Sequence, residues 1–540
     1  MEALIGETKA QKLNDVEMKI AFHVRRLTGV CLLIAFAWAW PAAAAPAGRG
    51  QAEHVVILIW DGMRRDFVTP QYTPNLYAMA RQGVFFKKHH PAYVSSTEVN
   101  GTAIATGFYP NRSGILANND YRPELSFLDN LPTQGLDNLR RADLLTGGHY
   151  LLVPTLAEIL QESGFPTVVA GSKPVAVLLD RSARRVTPAQ TNSVMLFAGQ
   201  TIPKSLIKLG EKANEDKKFG GTGSEKDTWT TKALLHGLWK KGVPKCTYLW
   251  LCEPDASQHS DGVGSDPALA GIASSDKRLE EVLHTLDEKK LLDKTDVIVT
   301  SDHGFSNVKR GPDVVEALKK AKFKAVRKFE DPEPGEILVV GLGGSATFYV
   351  VDHEEALVRK LVEFLQGADF TGVIFTRAAM EGTFPMDLAR INTTNVLPDV
   401  VISMRWLDER DDLGTPGLVY ADGGTRGKGT HGSLSRYDMG NILVASGPDF
   451  KQGLVSETPS GAIDLTPTVL WILGVTPPRP MDGRVLEEAL KGETPPPQVE
   501  TKTLEASRDL GWLHWHQYLK YSRVGDTPYF DEGNGGVEAR

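Results

Sequence analysis

Apolar residues occur in continuous runs, rather than in alternation with polar ones, along much of this chain. A continuous run is typical of a strand buried on both faces, as in a parallel or mixed sheet that helices cover. Six runs are candidates for such strands: 54–60, 167–170, 247–252, 297–300, 400–404 and 442–445. The runs at 54–60, 247–252 and 297–300 are each followed within three residues by an aspartate.

Between these runs the apolar positions change to three- and four-residue spacing, which predicts helices. Leucine, isoleucine and valine follow this spacing from 269 to 286. Pro74 suits the first position of another helix, and 464–473 predicts a third one that Gly474 ends. Strands that alternate with helices predict an α/β fold, with a central, mostly parallel sheet between helices.

The pattern changes over 306–395, where short strand candidates accompany one amphipathic helix. We expect this segment to form a small α/β cap inserted into a catalytic core that comprises 46–305 and 396–490. Three prolines at 495–497, typical of a stiff linker, stand near the start of a C-terminal segment, 491–540, that is rich in tryptophan and tyrosine. Aromatic side chains bury large apolar areas, so we expect this tail to pack on the outside of the core.

The N-terminal residues have the features of a secretory signal peptide. A basic region, an apolar stretch and small residues suited to cleavage follow one another: Lys19, Arg25 and Arg26; 30–40; and 42–45. The apolar stretch is shorter than the about 20 residues that a membrane-spanning helix needs. We predict a cleaved signal over 1–45, with Met18 as an alternative start, and a mature chain that is exported and has no membrane span. An uncleaved anchor is the alternative.

Composition narrows the class of protein further. The 540 residues are 41% hydrophobic and 24% charged, which is ordinary for a soluble α/β protein. The net charge of -7 gives no basic surplus for a nucleic-acid backbone, so we expect no binding to a nucleic-acid duplex. Cys246 and Cys252 lie six residues apart on one predicted strand, about 20 Å at 3.3 Å per residue, too far for a disulfide.

Acidic residues and histidines gather at the ends of three predicted strands. In an open α/β sheet, ligands bind outside the carboxyl ends of the strands. Three carboxylates and three histidines are expected to converge there: Asp61, Asp255, His259, Asp302, His303 and His431. Imidazole nitrogen and carboxylate oxygen suit divalent zinc. A tetrahedral ion cannot use six ligands, so the sequence predicts two metal ions, which we expect to be zinc.

A hydroxyl-rich segment, 93–97, precedes another predicted helix. The start of a helix favours anions through its free N–H groups and its dipole. A hydroxyl there can attack phosphorus when a metal lowers its pKa. Spacing alone leaves Ser95, Ser96 and Thr97 as equal candidates for the nucleophile.

At these residues the sequence resembles a known family, the alkaline phosphatase superfamily in its type I phosphodiesterase/nucleotide pyrophosphatase branch. The resemblance extends over about 55–485 and implies an alkaline phosphatase-like core. It rests on motifs that run in the family's order: Ile59-Trp-Asp61-Gly, Thr97-x-x-Asn100, Thr106-Gly-x-Tyr-Pro110, Asp255-x-x-x-His259, Ser301-Asp-His303-Gly and Gly429-Thr-His431-Gly.

The resemblance also implies a role for each site residue. Thr97 would be the nucleophile, with its oxygen bound to a metal ion. The other ligands would divide into two sets: Asp61, Asp302 and His303 for one ion, and Asp255, His259 and His431 for the second. Asn118 would contact a phosphoryl oxygen. Lys173 resembles the start of a Lys-x-Arg pair that contacts the phosphoryl group in related phosphatases, but Val175 stands in place of the arginine.

These residues predict an exported two-metal phosphoester hydrolase with a small phosphoester substrate and a phospho-threonine intermediate. We favour a phosphodiesterase or nucleotide pyrophosphatase, with a phosphomonoesterase that uses a threonine nucleophile as the alternative. Glu98 stands where nucleotide pyrophosphatases have a phenylalanine that stacks on the base. A non-catalytic binding protein of the same fold is the alternative from another class. The sequence leaves the oligomeric state open.

Overall fold

A computed structural model describes residues 50–182, 193–393 and 398–539. The predicted signal peptide therefore lies outside the described residues. The α-helices are Pro74–Gln82, Thr97–Thr106, Pro110–Ser113, Leu136–Leu145, Leu156–Glu162, Ile207–Ala213, Gly223–Lys232, Asp255–Asp261, Asp266–Glu288, Val314–Lys320, Glu355–Gln366 and Leu465–Ile472. Within the described ranges, no helix combines the length and the apolar character that crossing a membrane requires.

Nine strands form the main sheet. Their spatial order is Leu454–Ser456, Val84–Phe86, Leu443–Ser446, Thr295–Thr300, His54–Trp60, Cys246–Leu251, Thr167–Gly171, Ser193–Phe197 and Gln200–Ile202. The five strands from Thr295–Thr300 to Ser193–Phe197 are parallel to one another. Antiparallel strands adjoin this group on both sides. The predicted α/β fold with a mostly parallel central sheet is confirmed.

Helices cover both faces of this sheet. Alternate residues of the strand His54–Trp60 enter two separate apolar clusters, with Ile57 in one and Leu58 in the other. The first cluster includes the helices Thr97–Thr106 and Leu465–Ile472, and the second includes Asp266–Glu288. Because both faces are buried, the strands carry continuous apolar runs, as the sequence indicated.

A second sheet of six strands lies outside the main sheet. Its spatial order is Lys324–Val326, Glu336–Gly341, Ser345–Val350, Val400–Met404, Thr371–Thr376 and Phe384–Pro385. The apolar run predicted at 400–404 is a buried strand of this sheet, Val400–Met404, which pairs antiparallel with Ser345–Val350 and with Thr371–Thr376. A strand buried on both faces has the same apolar pattern in either sheet, so the pattern did not distinguish them.

Smaller sheets complete the structure. Four strands form one of them, in the order Trp406–Arg410, Pro416–Tyr420, Ser306–Arg310 and Gly429–Thr430. Two short pairs join Ser460–Gly461 to His89–His90 and Asn119–Asp120 to Leu131–Pro132. All described strands from 306–395 thus lie outside the main sheet. The division into a core and a cap with the boundaries given above stays a prediction.

The C-terminal segment folds into an antiparallel sheet of three strands, Val499–Asp509, Leu513–Val524 and Thr527–Ala539. Trp515 is fully buried and donates its indole N–H to the Gly382 carbonyl at 2.8 Å. Tyr529 donates its hydroxyl to Asp464 Oδ2 at 2.8 Å. The tail therefore contacts both the predicted cap segment, at Gly382, and the residues around the last helix.

Two buried carboxyl groups meet at the start of the strand Thr295–Thr300. Asp449 accepts the N–H groups of Gln51 and Ala52 at 2.6 and 2.9 Å, and donates its own N–H to Asp296 Oδ1 at 3.2 Å. Burial, and then the Asp449 carboxylate, raise the pKa of Asp296 from 3.8 to about 8. Asp296 therefore carries a proton at neutral pH.

Folding stability is expected to decline as the pH rises from about 4 to about 8, because the folded chain retains a proton on Asp296 that the unfolded chain releases. Asp296→Asn should remove this part of the decline, since an amide does not titrate. Thermal unfolding followed by circular dichroism at about pH 6 and about pH 9 measures the difference. The exposed Asp287→Asn is the control. An equal decline in both variants would contradict a protonated Asp296.

Candidate active site

Three neighbouring parallel strands each bring an aspartate to one rim of the main sheet. Asp61 follows His54–Trp60, Asp255 follows Cys246–Leu251 and Asp302 follows Thr295–Thr300. The strand His54–Trp60 pairs with both of the others, so the three carboxyl ends lie side by side. All three aspartates are buried. The three aspartates therefore converge at the carboxyl ends of the strands, as the sequence predicted.

Thr97 is the first residue of the helix Thr97–Thr106, which begins at the same rim. Its Oγ1 lies 3.2 Å from His303 Nε2. Ser95 Oγ instead donates to the Ser433 carbonyl at 2.7 Å. Ser96 precedes the helix in extended conformation, and its buried hydroxyl has no hydrogen-bond partner in the described part of the chain. Thr97 is therefore the hydroxyl that contacts a histidine of the cluster.

Each aspartate has one oxygen that backbone or side-chain donors hold in place. Asp61 Oδ2 accepts the Trp250 indole N–H at 2.8 Å. Asp302 Oδ1 accepts the backbone N–H groups of Gly62 and His303, both at 3.0 Å. The second oxygen of each aspartate, Oδ1 in Asp61 and Asp255 and Oδ2 in Asp302, is buried and meets no hydrogen-bond donor among the described residues. Buried oxygens without a donor fit a metal ion.

Each of the three histidines donates its Nδ1–H to a backbone carbonyl. The acceptors are Gly304 for His303 at 2.9 Å, Ser95 for His431 at 3.0 Å and Gly429 for His259 at 3.1 Å. Because a carbonyl only accepts, Nδ1 carries a proton in each ring, which leaves Nε2 as the nitrogen available to a metal ion. A ring fixed in this way is the usual form of a metal-binding histidine.

The free oxygens lie beside these Nε2 atoms. His303 Nε2 is 3.2 Å from Asp302 Oδ2 and 3.6 Å from Asp61 Oδ1. Asp255 Oδ1 is 3.1 Å from His259 Nε2 and 3.7 Å from His431 Nε2. Within 4.8 Å, the possible ligand atoms form two groups: Asp61, Asp302 and His303, and Asp255, His303 and His431. The structure thus brings all six residues together, although His303 and not His259 belongs to the second tight group.

The charges of the cluster are those of a cation site. Burial, and then the neighbouring Asp302, raise the pKa of Asp61 well above its ordinary value. Burial lowers the pKa of His303, and burial together with His303 lowers that of His431 well below its ordinary value. The imidazoles of His303 and His431 are therefore neutral, whereas at His259 burial is outweighed by the neighbouring Asp255, which raises the pKa. Carboxylates that are crowded away from water gain most from divalent cations.

Asn118 and Lys173 also lie at this rim. Asn118 Oδ1 accepts the backbone N–H of Glu98 at 3.1 Å, which leaves its Nδ2 as a donor. Lys173 Nζ contacts two carboxylates, Asp61 at 2.8 Å and Asp255 at 2.9 Å. Val175 is fully buried in the apolar core.

Sequence reasoning missed Trp250, whose indole N–H holds Asp61. Trp250 lies inside an apolar strand, where a tryptophan is expected to fill the core. One signal was the two-residue periodicity of a strand: Trp250 is the registered neighbour of Ile59, and Asp61 stands two residues after Ile59, so all three side chains point to the same face of the sheet.

Comparison with known proteins agrees with the family that the sequence motifs resemble. The family model of type I phosphodiesterase/nucleotide pyrophosphatase matches residues 55–414. Ectonucleotide pyrophosphatase/phosphodiesterase family member 7 of Rattus norvegicus is 24% identical over 455 residues, 82% of this chain and 89% of the relative.

Two solved structures share the fold. Human ectonucleotide pyrophosphatase/phosphodiesterase 5 matches with a TM-score of 0.57 and 17% identity, over 81% of this chain and all of that chain. The murine protein, solved as an inactive threonine-to-alanine variant in complex with AMP, matches equally well, with a TM-score of 0.57, 17% identity, and 81% and 100% coverage. Because the family model spans most of the chain, this protein belongs to the type I phosphodiesterase/nucleotide pyrophosphatase family.

Proposed function

We propose that this protein is a two-metal phosphodiesterase in which Thr97 is the nucleophile. The observation that carries the proposal is the position of Thr97 Oγ1, at a helix start and 3.2 Å from His303 Nε2. Helix N–H groups favour an anionic phosphoryl group, and a hydroxyl among them is well placed to attack it. The solved murine relative, described as inactive when a threonine is replaced by alanine, is consistent with this role.

Two divalent ions, which we propose to be zinc, would bind between the free carboxylate oxygens and the Nε2 atoms. One would take Asp61, Asp302, His303 and Thr97 Oγ1, and the other Asp255, His259 and His431. The donor chemistry supports zinc, since each set combines carboxylate oxygen with imidazole nitrogen. When bound, the ions would lower the pKa of the Thr97 hydroxyl and neutralise charge on the phosphoryl oxygens.

The chain's own residues then perform two displacements. Thr97 Oγ1 releases its proton to water and forms a bond to phosphorus, while the bond between phosphorus and the leaving oxygen breaks. The departing alkoxide takes a proton from water. In the second step a water oxygen bonds to phosphorus, the bond to Thr97 Oγ1 breaks, and the threonine regains a proton. The product is a phosphomonoester, and the enzyme returns to its initial state.

Backbone and amide donors would hold the phosphoryl oxygens during both displacements. The Thr97 N–H is one of the free donors at the helix start. Asn118 Nδ2 is the other candidate, because its Oδ1 is fixed on the Glu98 N–H and the amide donor is left over. Donors placed in advance stabilise the charge that develops in the transition state.

Family membership supports a diester or pyrophosphate substrate over a monoester. A relative in Xenopus laevis, 22% identical over 253 residues and matched over 47% of either chain, is named as a bis(5'-adenosyl)-triphosphatase. A phosphomonoesterase remains the second candidate, because Lys173 resembles a residue of threonine-nucleophile phosphatases. For a non-catalytic binding protein we find no support, since all six candidate ligand residues are present and five of them form two tight groups.

Activity on two chromogenic substrates tests the proposal. We expect kcat/KM for bis-p-nitrophenyl phosphate to exceed that for p-nitrophenyl phosphate by about tenfold, a difference of roughly 1.4 kcal/mol in transition-state stabilisation. Purified, zinc-loaded protein is assayed with each ester, and Thr97→Ala is the blank for contaminating enzymes. Faster hydrolysis of the monoester would favour the phosphatase, and no hydrolysis of either ester would favour the binding protein.

We also propose that the mature chain is exported. The basic and apolar pattern of 1–45 supports this, and the relatives that match over most of their length are named as ectonucleotide enzymes. Mass spectrometry of the N-terminus of the secreted protein would test it, with cleavage expected near the alanines at 42–45.

A further inference from the structure

Lys173 connects the two candidate ligand groups through their carboxylates. Its Nζ lies 2.8 Å from Asp61 Oδ2 and 2.9 Å from Asp255 Oδ2. Asp61 belongs to the first group and Asp255 to the second. The other oxygen of each, Oδ1, lies by a histidine, 3.6 Å from His303 Nε2 for Asp61 and 3.7 Å from His431 Nε2 for Asp255. The ammonium therefore holds one oxygen of each carboxylate and leaves the other oxygen available as a ligand.

The backbone that carries Lys173 is fastened to the segment that carries Asp255. Ser172 donates its N–H to the Trp250 carbonyl at 3.0 Å, and its Oγ accepts the Cys252 N–H at 2.8 Å. The same Oγ donates to Asp227 Oδ1 at 2.5 Å, and Asp227 accepts the N–H groups of Cys252 and Glu253 at 2.8 and 3.0 Å. These bonds are buried, so the backbone at Lys173 is held rigidly against the segment that leads to Asp255.

The side chain is held in a confined space as well. It is 21% exposed, and its two carboxylate partners are 0% and 7% exposed. Two buried carboxylates with no cation between them would repel each other and rotate away from the histidines. An ammonium has three donors in a compact head, so it can bond both carboxylates at once.

We propose that Lys173 is a positioning residue, which orients Asp61 and Asp255 so that their free oxygens would be available to two metal ions. This inference rests on the proposed function, since it assumes the metal pair. It differs from the role that the resemblance implies, a contact with the phosphoryl group. A positioning lysine acts before substrate binds, whereas a phosphoryl contact acts only when substrate is present.

Zinc titration without substrate distinguishes these two roles. Lys173→Met keeps most of the side-chain volume and removes the ammonium. The variant is first stripped of metal with a chelator. We then expect its dissociation constant for zinc to be about 10- to 100-fold higher than that of the wild type, which is the range found when a group that orients a metal ligand is lost. Saturating zinc should restore most of kcat, with KM for bis-p-nitrophenyl phosphate within about twofold of the wild type.

The opposite pattern would overturn the proposal. Unchanged zinc affinity, with a raised KM that excess zinc does not correct, would make Lys173 a phosphoryl contact. Lys87→Met is the control, because Lys87 pairs with Glu457 on an exposed surface and should leave both quantities unchanged. Circular dichroism verifies that each variant folds. If Lys173→Met does not fold, the same zinc titration of Lys173→Gln, which keeps a neutral hydrogen-bond donor, decides between the two roles. A wild type that binds no zinc would reject the metal pair and this inference together.

Discussion

Thr97→Ala is expected to lower kcat for bis-p-nitrophenyl phosphate by about a thousandfold or more, the scale of loss when a covalent nucleophile is removed. The reason is that water would then have to attack the bound diester directly. Fold and metal content should be kept, since the substitution removes one hydroxyl and one methyl group at a helix start and leaves Asp61, Asp302 and His303 as ligands. Steady-state turnover and zinc analysis of the same preparation measure both effects.

The neighbouring serines are matched controls for this variant. Ser95 Oγ is bonded to the Ser433 carbonyl, so Ser95→Ala should cost stability but little turnover. Ser96 lies one residue before the helix, and Ser96→Ala should leave kcat within about tenfold of the wild type. Near-normal turnover in Thr97→Ala, with a collapse in either serine variant, would assign the nucleophile to that serine. A trapped phospho-peptide from a rapid quench would identify the residue independently.

Much of the site could be predicted from the sequence because its acidic residues stand directly after apolar strands. Asp61, Asp255 and Asp302 each come after an apolar run, and adjacent parallel strands must bring such residues to one rim. Spacing did not separate Ser95 from Thr97. That choice came from the resemblance, and the hydrogen bond of Ser95 to Ser433, 338 residues away, now gives a physical reason for it.

Other features depend on contacts that no local pattern records. The apolar run of Val400–Met404 is like those of the main-sheet strands, yet its pairing partners place it in the second sheet. The bonds from Lys173 to Asp61 and Asp255 join residues 112 and 82 positions apart, and they depend on the register of the strands before them. Burial pattern and residue type identify what a side chain can do, but partner choice is set by tertiary packing.

Asp302→Asn is expected to lower the bound zinc from two ions to one and kcat by at least about a hundredfold. Asparagine keeps Oδ1, which accepts the N–H groups of Gly62 and His303, so the loop should hold its shape. The substitution replaces Oδ2, the free oxygen beside His303 Nε2, with an amide nitrogen that cannot bind the ion. Plasma emission spectrometry of the dialysed protein counts the ions, and turnover is measured on the same sample.

The free energy of unfolding in the presence of zinc gives a second measure of the lost ion. An ion that binds only the folded chain stabilises it by about 2.7 kcal/mol when its free concentration is 100 times its dissociation constant. The wild type should therefore gain more from added zinc than Asp302→Asn, which keeps intact only the second proposed ligand set, Asp255, His259 and His431. Asp261→Asn, an exposed carboxylate two residues after His259, is the control and should behave as the wild type. Two ions and an unchanged zinc-dependent gain in Asp302→Asn would mean that Asp302 is not a ligand, and the pairing of its free oxygen with His303 would then require another explanation.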